Sequence, residues 1–205
     1  MKKMLSRREE ASELRRLEIM RAARKVFAQK GYAETGVDDI AAEAGIGKGT
    51  LYLYFPSKEQ VYLAALLEDA RKLNRLTRDS MAAAPAWKDK LRAYMEVKLA
   101  YFETHQDFVR IYMTEFRNRC LQGKPIAAEL HHLVQEGEGQ LAQLFAAATA
   151  RGEVRAVDPE LAAVTVSDLT RGIMERRLRG WGGAMGPADA EFALDVLCRA
   201  LSTEA

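Results

Sequence analysis

The chain has 205 residues, with 31 Lys+Arg against 29 Asp+Glu, a formal net charge of +2 and 48% hydrophobic side chains, a composition that excludes a disordered chain. The longest stretch without Asp, Glu, Lys or Arg is the 12 residues Gly139–Ala150, short of the ~20 that a membrane-spanning helix needs, and the basic N-terminus lacks the apolar run of a secretory signal. Two cysteines, Cys120 and Cys198, form no C-x-x-C pair, so neither a disulfide scaffold nor a structural zinc site is expected, and a reducing cytoplasm is the expected compartment.

The near-neutral total hides an asymmetry. Residues 1–30 carry 10 basic side chains against 4 acidic ones, whereas residues 61–205 hold 19 basic and 20 acidic. Positive charge gathered at one end is how an electrostatic footprint for phosphate is laid out. The plainer reading of such a run is a solvated helix face.

In chain order, nearly every long segment predicts helix. From Glu13, the residues Ile19, Ala22, Ala23, Val26 and Phe27 recur at three- and four-residue steps, and Gly31 stands where a left-handed cap would end the helix. A short second helix opens at Thr35, whose hydroxyl is expected to cap it, with Asp38 three residues on. Val37, Ile40, Ala41 and Ala44 give its buried stripe, and Gly45 interrupts it. A third short helix is predicted from Lys48 to Phe55, with Leu51 and Phe55 one turn apart and facing inward.

Pro56-Ser57 is a stop followed by a start, Ser57 capping with Gln60 at the capping-box position. Helices follow at 57–80 and 87–104, separated at Pro85, then at 107–120 and 126–150. Gly137 and Gly139 weaken the middle of the last of these by about 1 kcal/mol each. Asp158-Pro159 pairs a capping residue with proline at the first helical position and opens a helix to Arg179. Gly186-Pro187 opens the final helix, to Leu201. The expectation is an all-α fold of about nine helices, with domains at 1–60 and 61–205.

Residues 36–55 have the helix, glycine turn, helix layout of a DNA-binding helix-turn-helix. An alanine-rich first helix lets the second pack closely and project outward. Lys48 and Gly49 start that second helix, where free N–H groups attract an anion, and Lys58 repeats the arrangement at the next helix. Thr50, Tyr52 and Tyr54 suit contacts with phosphates and thymine methyl groups.

Over about 60 residues the sequence resembles the TetR/AcrR family of bacterial transcriptional regulators. The residues that carry the likeness are Ile19-Met20-Arg21-Ala22-Ala23, Phe27, Gly31-Tyr32, Thr35, Val37, Ile40-Ala41 and Ala44-Gly45-Ile46, followed by the unbroken run from Lys48 to Glu59. Gly47 departs from the family's usual serine cap, which removes one phosphate hydrogen bond. Gly152-Glu153-Val154 and Asp158-Pro159-Glu160-Leu161-Ala162 resemble the family's approach to its dimerisation helix.

The resemblance implies a cytoplasmic homodimer that places its third helix in the major groove of a double-stranded DNA operator. It implies pairing through the last two helices (about 159–179 and 187–201), and a small-molecule effector enclosed by the middle helices that releases the DNA. Lys48, Thr50 and Tyr52 are then expected at bases, and Thr35, Tyr54 and Lys58 at phosphates, with Gly49 at the same surface. Apolar residues around the last two helices, among them Leu161, Val164, Val166, Leu169, Ile173, Phe192, Leu194, Val196, Leu197 and Leu201, fit helices with partners on more than one side.

Tyr94, Tyr101, Phe102, His105, Phe108, Tyr112, Phe116 and Arg117 are candidates to line a mainly apolar effector pocket, although aromatics at helical spacing are commonly plain core. No metal or cofactor is expected: His131 and His132 are adjacent, so their side chains diverge by about 100° along a helix. Cys198 reads as an inert core thiol, and Cys120 stands near Arg117 and Arg119. No nucleophile elbow, phosphate loop or spaced carboxylate pair points to an enzyme. The rival readings are a DNA-binding regulator without an effector and, less favoured, an all-α enzyme or interaction module carrying this N-terminal fold.

Overall fold

A computed structural model describes residues 6–113, 126–180 and 188–203. In chain order the helices are α1 (Arg7–Glu34), α2 (Val37–Glu43), α3 (Lys48–Tyr54), α4 (Lys58–Ala83), α5 (Trp87–Thr104), α6 (106–113 as far as described), α7 (Ile126–Ala150), α8 (Pro159–Leu178) and α9 (Ala188–Leu201). Among the described residues the extended structure is limited to an isolated bridge between Val154 and Ser202. The fold is all-α, as the sequence predicts.

The helix ends follow local chemistry. Asp158 accepts from the N–H groups of Glu160 and Leu161 at 2.9 and 3.2 Å, with Pro159 at the first helical position of α8. Ser57 accepts from Gln60 N–H at 3.2 Å before α4. The start of α1 lies earlier than the apolar stripe predicts, because Ser6 and Glu9 form a reciprocal capping box. Arg7 and Arg8 therefore belong to its first turn.

Contacts divide the chain into two compact units, residues 1–69 with 106–126, and residues 70–105 with 127–205. In the first, Ile19, Ala23 and Phe27 of α1, Ile40 and Ala41 of α2, Leu51 and Phe55, and Val61, Tyr62 and Leu66 of α4 are buried. Tyr62 meets Phe27 edge-on, with ring centroids 4.8 Å apart. Asp69, a buried carboxylate, pairs with Arg24.

In the second unit one apolar cluster joins Met81 of α4, Trp87, Leu91, Tyr94 and Met95 of α5, Leu141, Leu144, Phe145 and Ala148 of α7, Ala163 and Val166 of α8, and Leu194, Leu197 and Leu201 of α9. Gly137 has a packing reason: a Cβ there would stand 3.3 Å from Asn74 Oδ1, and the Asn74 amide donates to the Leu133 carbonyl at 2.8 Å. A side chain at this position would therefore crowd the Asn74 amide that makes that bond. Arg177, 5% exposed in its side chain, joins α8 to Glu103 and Asp189.

Candidate nucleic-acid interface

The turn between α2 and α3 is fixed by hydrogen bonds that only a positive-φ residue permits. Gly45 has φ +66°, its N–H donates to the Ala42 carbonyl at 3.1 Å, and Ile46 N–H donates to Ala41 at 3.0 Å. This is the Schellman arrangement, and it ends α2 within one residue. Gly47 then caps α3, whose exposed Lys48, Gly49 and Thr50 lead to wholly buried Leu51. Tyr52 and Leu53 are exposed, Tyr54 is half-buried and Phe55 is buried. Arg16 of α1 lies over the Phe55 ring, 4.6 Å from its centroid.

The chain leaves α1 at Gly31, where φ is +77° within what is otherwise continuous helix. Thr35 does not cap α2. Its side chain is buried and its hydroxyl donates back to the Gly31 carbonyl at 2.7 Å. The cap position belongs to Gly36, whose N–H donates to Asp39 Oδ2 at 2.9 Å, so the expected partnership of Thr35 with Asp38 shifts by one residue.

Lys58 is also engaged within the protein. Its ammonium donates to the carbonyls of Tyr32 at 2.8 Å and Thr35 at 2.9 Å, and stands 4.5 Å from the centroid of the Tyr32 ring. Thr35 and Lys58 thus hold the turn that delivers α2.

Lys48 Nζ lies 2.8 Å from Asp38 Oδ2, and that hydrogen bond raises the ammonium above the ordinary lysine value. Asp39, held by Lys30 at 2.8 Å and by Gly36 N–H, has its carboxyl lowered, the Lys30 hydrogen bond being the larger cause. Lys25 pairs with Glu43 at 2.7 Å. Of the ten basic residues in 1–30, Arg16, Arg24, Lys25 and Lys30 therefore tie α1 to its neighbours.

Of the candidate pocket residues, Tyr94 lies in the apolar cluster of the second unit, with Lys98 donating to its hydroxyl at 2.6 Å. Tyr101 and His105 stack in parallel at 3.8 Å, with Lys72 Nζ 5.7 Å from the Tyr101 centroid, and Phe102 is buried. Phe108 and Tyr112, in the first unit, are 5.7 Å apart. Phe116, Arg117 and Cys120 lie outside the described residues. Cys198 is half-buried, and burial raises its thiol pKa. His131 and His132 are both exposed.

Residues 19–65 match the model of the N-terminal domain of bacterial regulatory proteins of the tetR family, and residues 84–175 match the tetracyclin repressor-like C-terminal domain. The chain belongs to the TetR family. Its members are regulators of transcription and not enzymes, and the helix-turn-helix formed by α2 and α3 lies within the matched N-terminal domain.

Among relatives, the transcriptional activator FasR of Mycolicibacterium smegmatis is 32% identical over 116 residues, 57% of this chain and 52% of FasR. The regulator RutR of Escherichia coli is 28% identical over 161 residues, 77% of this chain and 73% of RutR. FadR of Bacillus subtilis, solved in complex with stearoyl-CoA, shares the fold with a TM-score of 0.80 at 19% identity, over 90% of this chain and 98% of FadR. The chain spans between about a third and about a half of the length of the first two curated relatives it matches. No described helix is long and apolar enough to cross a membrane.

Leu53 is the surface residue that the motif did not single out. The signal was present, because with Leu51 and Phe55 facing inward a residue two places from each must face out.

Proposed function

We propose that this TetR-family regulator is a homodimeric repressor that binds a palindromic operator in the cytoplasm and is released by a small, largely apolar effector. The observation that carries the reading is α3, which buries Leu51 completely while exposing Gly49, Thr50 and Tyr52 on its other sides and Lys48 at its first position. Those four residues and the half-buried Tyr54 meet the DNA, with Lys48, Thr50 and Tyr52 at bases or groove edges. Thr35 and Lys58 act one step back, by holding α2 in register.

Dimerisation is supported by apolar side chains left exposed on α8 and α9: Leu161, Val164 and Leu169 on one, Phe192 and Val196 on the other. An effector with an apolar body is supported by the aromatic groups of α5 and by the stearoyl-CoA of the FadR neighbour. A second reading, activation, draws on the naming of the FasR relative as an activator.

Selection of bound duplex from a random pool tests the proposal. A palindrome with half-sites one helical turn apart is expected, bound with a steep dependence on salt. Lys48→Ala and Tyr52→Ala each abolish most specific binding in a gel-shift titration while leaving the dimer intact. Unchanged affinity in both variants overturns the assignment of α3. A reporter placed under the selected operator separates repression from activation by the sign of its response.

A further inference from the structure

The outermost line of α3 is formed by two residues one turn apart, Gly49 and Leu53. Successive residues turn by about 100°, so with Leu51 at the centre of the buried side, Gly49 and Leu53 lie opposite it, flanked by Thr50 and Tyr52. Leu53 is 84% exposed, the most exposed large hydrophobic side chain among the described residues. Nothing within the described residues explains Gly49. Its φ is not in the left-handed region, and a Cβ built there meets nothing within 4 Å. A glycine in a helix costs stability relative to alanine, and here neither a turn nor internal packing requires it.

Both features make sense against a partner that closes on the crest of α3, and the DNA-binding function of the helix-turn-helix names that partner. A leucine has no donor or acceptor and cannot read the hydrogen-bonding edges of bases. The apolar group that base edges present in the major groove is the 5-methyl of thymine.

We propose that Leu53 is a specificity-determining residue that packs on a thymine methyl group in each operator half-site, and that Gly49 stays without a side chain so that the helix backbone can approach the bases. The inference rests on α3 entering the major groove, as proposed above. It adds a requirement at one position of the half-site, and it makes Leu53 a reader of the methyl group rather than a neutral surface residue.

The test uses the full-length protein and the duplex it selects from a random pool. Each thymine of the half-site is replaced in turn by deoxyuridine, which removes the methyl group and leaves the base pair intact. At one thymine the wild-type protein is expected to lose affinity about three- to fivefold, the effect of one buried methyl-sized group. Leu53→Ala shows no loss at that thymine but keeps the wild-type response at the others. Because Leu53 is exposed, Leu53→Ala melts with the wild type, and Gly49→Ala melts at the same or a higher temperature while binding all sequences more weakly.

If a palindrome is selected but Leu53→Ala responds to deoxyuridine as the wild type does, or if no thymine responds, the inference about Leu53 is overturned and the docking of α3 stands. If Gly49→Ala binds as tightly as the wild type, the close approach is overturned. If the wild type selects no sequence at all, the docking of α3 fails and the inference fails with it.

Discussion

The first side chain of α3, Lys48, is held by Asp38 of α2 at 2.8 Å, with 50% and 73% of the two side chains exposed. A DNA group that binds Lys48 must therefore compete with a carboxylate already in place. Exposed ion pairs exchange readily, so Asp38 lowers the resting availability of the ammonium without blocking it. Asp38→Asn removes the competitor, and affinity for DNA of any sequence is expected to rise by about two- to fivefold at low salt. Fluorescence anisotropy with a labelled duplex across a salt series measures this. Weaker binding in Asp38→Asn would mean that Asp38 positions Lys48 rather than competing for it.

Lys58, at the start of α4, presents the opposite case, a lysine whose ammonium is already engaged by backbone carbonyls. Its ammonium bonds the carbonyls of Tyr32 and Thr35, which follow the positive-φ Gly31. Replacing Lys58 with Met keeps much of the aliphatic stem and removes those bonds. Stability in urea is expected to fall by about 1–2 kcal/mol, the scale of hydrogen bonds to a charged donor. An unchanged urea midpoint together with lost DNA affinity would return Lys58 to a direct phosphate contact.

Acid should loosen the N-terminal unit through Asp39. The Lys30 ammonium and the Gly36 N–H hold its carboxyl below the ordinary aspartate value. A folded-state value below the unfolded one contributes stability that is fully present above the unfolded value, near about 3.9, and is lost as pH falls through the folded value. The urea midpoint is thus expected to drop from about pH 4 downward. Asp39→Asn should flatten that acid limb in part, since Glu9 and Glu153 are lowered as well. Parallel acid limbs for the two proteins would remove Asp39 from the account.

Several helix ends could be read from the chain because the groups that set them lie within one turn: Gly45, Ser57, Pro85 and Asp158-Pro159 act locally. The apolar stripe, however, passes over the Ser6–Glu9 box that starts α1. The interface was read less completely because its chemistry is tertiary. Lys58 reaches back 26 residues to Tyr32, and Thr35 is drawn away from its capping role by the carbonyl of a positive-φ glycine. Neither effect has a spacing signature. The basic run at the N-terminus suggested an electrostatic footprint, yet Arg16, Arg24, Lys25 and Lys30 are directed to Phe55, Asp69, Glu43 and Asp39. Leu53 needed no tertiary information, only the rotation from Leu51.

Asp69 offers a test of how the N-terminal unit is held together. It is buried on α4 and paired with Arg24 of α1, whose side chain is 22% exposed. Removing one partner of a buried pair strands the other, at a cost of about 3–5 kcal/mol in a dry site and less here because Arg24 reaches solvent. Asp69→Ala is expected to cost about 2–3 kcal/mol in urea unfolding, and the double variant Arg24→Met, Asp69→Leu to recover most of it. If the double variant is no more stable than Asp69→Ala, the cost arises from packing and not from the stranded charge.

The exposed faces of α8 and α9 carry the last prediction. Leu161 is 66% exposed and Phe192 72%, which is costly in a free monomer and natural in a helix bundle shared by two copies. Each large apolar side chain buried at such an interface contributes about 1.5–3 kcal/mol, roughly ten- to a hundredfold in the dimer dissociation constant. Leu161→Glu combined with Phe192→Asp places like charges on both faces of a symmetric pair and should yield monomers at micromolar concentration by sedimentation equilibrium. Both residues lie at the surface of the single chain, so helicity is expected to persist. Operator affinity should collapse in the same variant, because a monomer engages one half-site where the dimer engages two. A double variant that sediments as a dimer would place the interface elsewhere on the molecule.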